Sequence, residues 1–309
     1  MFMSPARKAV LALIAANLIW GAASPIFKLS LENIPPLTLA FWRFFLGSAI
    51  LMMVFGPRLF RTGRLFDDHK KELIMYALSG ITFNIIFFFL GLQLTLSINA
   101  PVIAASAPII TAISAFIILK ERISGRKIIG VITGFAGIII IVIEPLLLTG
   151  LDGSVMGNLF LIIATLGAVG QTIIGRKILP KYDPLMITFW AFVIGSATFA
   201  PFAASEAARY PDLYAVLDWR GYTGIIFGSI FSSVCGYALY AWALSKIKAT
   251  DATMFAYIDP VIGTVLGFFL LHEPITIPFI VGSFLIFGGI LIAEGRIVHY
   301  PIRRLLGKE

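Results

Sequence analysis

Two halves of this sequence repeat one another. Pro108, Glu121, Gly130 and Gly137 recur as Pro260, Glu273, Gly282 and Gly289, each 152 residues later. Upstream, Pro36, Leu37, Phe41, Trp42, Phe44, Gly47 and Ser48 return as Pro184, Leu185, Phe189, Trp190, Phe192, Gly195 and Ser196 at an offset of 148. The change of offset predicts an insertion of about four residues in the second copy, between Gly228 and Tyr240. Such a chain is expected to fold as two related bundles. Duplication of this length in an apolar chain points to secondary transport.

The apolar character is decisive. Hydrophobic residues make up 59% and charged residues 13%, with a mean hydropathy of +0.96. A soluble domain carries about 25% charged residues, so this chain cannot cover itself with polar side chains. It reads as an all-α integral membrane protein with ten transmembrane helices. The spans fall at 9–27, 37–56, 73–95, 98–119, 127–146, 155–175, 185–204, 221–245, 252–271 and 276–295. Each is long enough to cross about 30 Å of hydrocarbon at a rise of about 1.5 Å per residue. The first span is too long for a signal-peptide core and nine more follow it. The single cysteine, Cys235, lies inside a span, so there is no disulfide framework. No connection is long enough for a separate soluble domain.

The basic residues sort by side. Of 24 Lys and Arg, Lys28, Arg209 and Arg220 flank one set of span ends and Arg43 lies within a span; the remaining 20 fall on the side of the N-terminus. The positive-inside rule then predicts cytoplasmic N- and C-termini. The net charge of +8 follows from this topology and calls for no nucleic-acid partner. Five spans per copy is an odd number, so residues 1–150 and 151–309 are expected to form inverted five-helix repeats, with the site between them near the midplane.

Certain motifs resemble a known family. Asn17-Leu-Ile-Trp20-Gly21, Arg43-Phe44, and Ala105-Ser-Ala-Pro108 leading to Leu119-Lys-Glu121-Arg-Ile123 are similar to those of EamA-type members of the drug/metabolite transporter superfamily. The second copy carries Tyr257-Ile-Asp-Pro260 leading to Leu271-His-Glu273-Pro274. The resemblance covers nearly the whole chain. It implies ten helices, a central cavity and alternating-access movement of small metabolites, often export, in the cell membrane. It implies no particular substrate, since members move amino acids, nucleoside-like metabolites, sugars and drugs. The second copy departs from the first in lacking a basic residue after Glu273 and in having Ala191 where the first has Arg43.

Polar groups deep in a span are costly and tend to face a cavity. Asp259, next to Pro260, is the sharpest. It is the candidate coupling residue, for a proton or Na⁺, or the binder of a substrate amine; its alternative is a local distortion of the helix. Asn17, Trp20, Gly21 and Ser24 share one face of the first helix. Asn17 and Trp20 are candidates for a cavity wall, with an interfacial anchor as the other reading for Trp20. Asn84 is either cavity-lining or engaged in an interhelical hydrogen bond. Tyr237 and Tyr257 complete the candidate site, with Tyr240 one turn from Tyr237. Arg43 could snorkel outward, bind a carboxylate, or serve structure. Glu121 and Glu273 read as a water-facing structural pair joining helix ends. Gly-xxx-Gly pairs permit close helix packing and leave monomer and homodimer open.

The expected partners are thus a small-molecule substrate, membrane lipids and a proton or Na⁺, without cofactor. A lipid flippase on the same scaffold is the alternative. An enzyme is not expected. His69, His272 and His299 lie at span edges, no HExxH occurs, and no GxxxxGK[ST] loop is present.

Overall fold

The computed structural model describes residues 5–60, 65–107, 109–110, 125–148, 153–244 and 253–294, and these contain helices and no strand. Helix α1 is Pro5–Ser30, α2 Pro36–Phe55, and α3 runs through Lys70–Ala77, Leu78–Phe83 and Asn84–Leu94. Helix α4 is described over Asn99–Ala105. Helices α5, α6 and α7 are Gly125–Leu148, Gly153–Ile178 and Pro184–Arg209. Helix α8 runs through Trp219–Ile226, Phe227–Cys235 and Gly236–Leu244. Helices α9 and α10 are Ile258–Leu271 and Ile277–Glu294. Seven of these helices are long and apolar enough to cross a membrane, and two shorter apolar helices, Phe255–Leu271 and Ile277–Ile292, join them. Pro108, Glu121 and the second half of the predicted fourth span lie outside the described residues.

The surface is that of a protein dissolved in lipid. Met53, Ile277 and Phe284 are each more than 70% exposed, while Phe27, Phe44, Phe89 and Phe192 are sealed inside. Helices α2 and α7 pair along their length, as do α3 with α6 and α5 with α10, and α1 packs on both α8 and α9.

Two helices change register. In α3 the stretch Leu78–Phe83 is π-helical, and in α8 the stretch Phe227–Cys235 is. They occupy matching places in the two copies. The second is longer and falls where the offset changes, so the inserted residues are absorbed inside the helix by wider turns rather than extruded as a loop. Helix α9 is also interrupted. A 3₁₀ turn, Thr253–Tyr257, leads into an α-helix that begins at Ile258. Pro260 therefore sits in the first turn, where a missing N–H costs no internal hydrogen bond. It starts a helix instead of distorting one.

Glycines bring the backbones of α5 and α10 together. A Cβ on Gly137 of α5 would stand 2.5 Å from the Gly282 carbonyl oxygen and 2.8 Å from the Ile286 nitrogen of α10. Reciprocally, a Cβ on Gly289 of α10 would meet the Gly130 carbonyl oxygen of α5 at 2.6 Å. Since Gly130 matches Gly282 and Gly137 matches Gly289, each contact is the other with the copies exchanged. Backbone atoms cannot yield as side chains do. Gly137→Val is expected to cost at least the roughly 1–3 kcal/mol of ordinary overpacking, read as lost thermal stability in detergent. Gly288→Ala, at a position with nothing within 4 Å, is the control expected to melt with the parent.

Helix ends are closed across the copies. Glu206 of α7 accepts hydrogen bonds from the backbone N–H groups of Leu37 (3.3 Å) and Thr38 (2.7 Å) at the start of α2. Arg58, the position matched to Glu206, reaches Asp183 at the start of α7 at 3.2 Å. Glu273 accepts from the Ser97 N–H (2.6 Å), the Ser97 hydroxyl (2.8 Å) and the Ile98 N–H (3.0 Å), capping α4. Glu273 does join helix ends, but it is 5% exposed and not water-facing. Orphan donors of the helix start hold the carboxylate and compensate its burial. Lys28 donates to the carbonyls of Leu92 (2.7 Å) and Gln93 (3.0 Å) at the end of α3, within electrostatic reach of Glu273.

Candidate functional site

The site is organised around Trp20. Its indole lies against one glycine of α8, and a second glycine beside it on α1 admits α9. A Cβ on Gly236 of α8 would lie 2.6 Å from the indole nitrogen. A Cβ on Gly21 would lie 2.9 Å from the Asp259 carbonyl oxygen and 2.8 Å from Ile262 Cβ, so only glycine lets α9 approach α1 there. The Trp20 N–H donates to the Ser232 carbonyl at 3.0 Å. In the π-helical register the Gly236 N–H is taken by the carbonyls of Phe231 and Ser233, not by that of Ser232. The Ser232 carbonyl that holds the indole is thus passed over by the Gly236 N–H that would take it in a regular α-helix.

Aromatic rings surround it. Trp20 meets Tyr237 edge-on with centroids 5.4 Å apart and Tyr240 at 5.3 Å. Tyr237 in turn stands edge-on to Phe192 of α7 at 5.3 Å. Tyr76 of α3 lies within electrostatic range of Tyr237 and Tyr240, bringing a fourth helix to the group. Trp20 is therefore not an interfacial anchor; it binds α1 to α8 inside the bundle.

Asp259 lies in the first turn of α9, against Gly21. Its Oδ1 is buried with no hydrogen-bond partner, and so is the Ser24 hydroxyl, one turn beyond Trp20 on α1. Tyr240 is within electrostatic range of Asp259. Asp259 thus places a carboxylate in the first turn of α9, where the helix start favours negative charge.

The six residues singled out in the sequence fall into two groups. Trp20 and Tyr237 meet, on α1 and α8, and Asp259 of α9 lies beside them with its backbone against Gly21. Tyr257 stands at the break before α9, two residues from Asp259, with its ring against Phe287 at 5.8 Å. Asn17 is one turn before Trp20 and is 2% exposed; its amide donates to the Leu13 carbonyl at 2.7 Å within α1. Asn84 donates to the Ala164 carbonyl of α6 at 2.7 Å, and Ser79 donates to that of Gly167 at 2.8 Å. The amide of Asn84 thus serves the contact between α3 and α6.

Arg43 is the residue the sequence undervalued. It does not snorkel. Its Nε donates to the Ser233 hydroxyl at 3.1 Å and its Nη2 to that of Ser232 at 3.0 Å, while the guanidinium lies 5.0 Å from the Phe27 ring and 4.9 Å from that of Phe44. Ser232 therefore holds Arg43 by its hydroxyl and Trp20 by its carbonyl. The serine pair inside a span was the available signal. Its meaning depends on which helix faces it, which spacing does not give. Among the described residues no group of three or more His, Cys, Asp or Glu could hold a metal ion.

Comparison with known proteins agrees with this architecture. The EamA-like transporter family model matches residues 7–143 and 155–294. An uncharacterized transporter of Archaeoglobus fulgidus is 27% identical over 94% of this chain and 98% of its own length, and a second from that organism is 30% identical over 88% and 94%. A WAT1-related chloroplastic protein of Arabidopsis thaliana is 24% identical over 88% of this chain and 66% of its own. A solved crystal structure superposes with a TM-score of 0.61 over 92% of this chain and 96% of its own at 17% identity, a likeness of fold.

Proposed function

Since the chain belongs to the EamA-like transporter family and is a multi-pass membrane transporter, we propose that it is a secondary active exporter or exchanger of small organic metabolites, amino acids or related amphipathic compounds. It works by alternating access. The observation that carries this reading is the half-buried group of Trp20, Tyr237 and Asp259, drawn from helices of both halves, at the point where α9 begins inside the span. Aromatic faces suit the apolar body of such a compound, and the orphaned oxygens of Asp259 and Ser24 suit its polar end.

The moving parts are two inverted repeats, residues 1–150 and 151–309, each of five helices. The reciprocal glycine contacts of α5 and α10 support this, as do the matched π-helical stretches of α3 and α8 and the matched cross-copy contacts of Glu206 and Arg58. The protein lies in the plasma or inner membrane with both termini in the cytoplasm, a reading that the distribution of Lys and Arg supports. Asp259 couples the cycle to a proton or Na⁺.

The test is a counterflow screen in proteoliposomes with amino acids, nucleosides, amines and fluorescent lipids. The expected result is saturable exchange of a small water-soluble compound. Exchange of lipids alone would replace this reading with a flippase, and exchange of none of the four classes would overturn it.

A further inference from the structure

Among the described residues, three basic side chains held by the helix bundle have acceptors suited to their charge. Lys28 has two carbonyls and lies near Glu273; Arg58 has Asp183; Arg220 has Asp218 at 2.8 Å and Glu32 at 2.7 Å. Arg43 differs. It is the one basic residue in the buried class among the described residues, at 5% exposure, and it has no carboxylate partner there. A guanidinium has five N–H donors in a planar fork. Two are used, on the hydroxyls of Ser233 and Ser232. Hydroxyls and ring faces orient the group without neutralising it. No ion pair joins it to Asp259 among the described residues.

A buried cation is tolerated where it is paired or where it serves a pathway. This one is placed for the pathway. The serine that holds it also holds Trp20, and Tyr237 lies within electrostatic range of the guanidinium. The site is therefore bipolar: a cation on the α2 side, a carboxylate with an orphaned oxygen on the α9 side, and the aromatic group between. Resting on the transport reading above, we propose that Arg43 is the receptor for a carboxylate on the transported solute, and that this solute is a zwitterion whose ammonium group is taken by Asp259. The free edge of the guanidinium grips the carboxylate through paired N–H groups, a fork that lysine lacks. The Ser232 and Ser233 hydroxyls hold the plane of the group. Ala191, at the matched position of the second copy, has no such capacity, so the cargo carries its ionic ends in one polarity only.

Three probes of one shape decide the matter in proteoliposome counterflow: phenylalanine, 3-phenylpropionate, which lacks the amine, and phenethylamine, which lacks the carboxylate. The parent protein is expected to exchange phenylalanine at least about ten-fold faster than phenethylamine, the discrimination a buried group imposes when its partner is missing. Arg43→Gln is expected to bring phenylalanine down to the phenethylamine rate, and Arg43→Lys to restore part of the difference. If phenethylamine is exchanged as fast as phenylalanine, or if Arg43→Gln slows all three probes in proportion, Arg43 is a structural pin between α2 and α8. The proposal is also overturned if all three stay outside while nucleosides or other amines are exchanged, a result that leaves the transport reading intact. The comparison within the parent stands by itself if Arg43→Gln fails to fold.

Discussion

Asp259→Asn is expected to abolish the response to a pH or Na⁺ gradient while solute exchange continues at a reduced rate, since the amide keeps an acceptor oxygen for an ammonium group but no charge. Asparagine keeps the shape and can make a local hydrogen bond, but it cannot carry a proton or a full negative charge. Asp259 combines a position at the start of α9, contact with α1 across Gly21, and an oxygen with no partner. A pH difference of one unit is worth about 1.4 kcal/mol per proton, hence about ten-fold accumulation for one-to-one coupling. The measurement is accumulation of labelled substrate in proteoliposomes under an imposed gradient, beside counterflow at equal pH and Na⁺. The account predicts loss of the gradient-driven part with exchange slowed but still measurable. A variant that still accumulates at the parental level makes Asp259 structural, an acid stabilised by the helix start, and ends its role in coupling.

Glu273→Ala is expected to cause the largest loss of stability of any single side-chain truncation considered. Its carboxylate is buried, satisfies two backbone N–H groups and one hydroxyl at the start of α4, and lies near Lys28. Removing one partner of a buried charged network costs about 3–5 kcal/mol, because the remaining groups stay buried and unpaired. An apparent melting temperature lower by on the order of 10 °C should follow. Glu273→Gln keeps an acceptor oxygen and should fall between. The measurement is thermal unfolding of the purified protein in detergent. An alanine variant that melts within about 2 °C of the parent would show that the cap contributes little.

Much of this architecture was legible in the sequence because hydrocarbon permits so few solutions. A span needs about 20 apolar residues, so the ends of α2, α5 and α7 fall within two residues or so of expectation at their starts. The duplication likewise announces paired elements, and the glycines of α5 and α10 meet as their repetition implies. Trp20 and Asp259 could be found because a polar or amphipathic group on an otherwise apolar helix stands out.

What was hidden depends on contacts between helices. The four-residue change of offset was visible, but nothing in composition separates a loop from a π-helical stretch, and the structure puts the extra residues inside α8. Glu273 reads as a surface acid beside His272 until α4 is seen to begin against it. Pro260 reads as a defect in a long helix, whereas the helix in fact starts two residues before it. Arg43 left three readings open, reaching outward to the interface, binding a carboxylate or serving structure. Its true surroundings are the two serines of α8 and the rings of Phe27 and Phe44, 16 residues before it in the first helix and immediately next to it in the second.

Alternating access to the group around Trp20 is the claim on which the rest depends, and thiol accessibility tests it most directly. With Cys235 replaced by serine, Trp20→Cys and Tyr257→Cys are introduced singly and exposed to a membrane-impermeant methanethiosulfonate reagent, in right-side-out and in inside-out vesicles, with and without the substrate found by counterflow. The account predicts that each position is labelled from both sides, and that substrate or an imposed gradient raises labelling from one side as it lowers labelling from the other. Failure of both positions to label from either side under every condition, or unchanged labelling from both sides throughout, would contradict it.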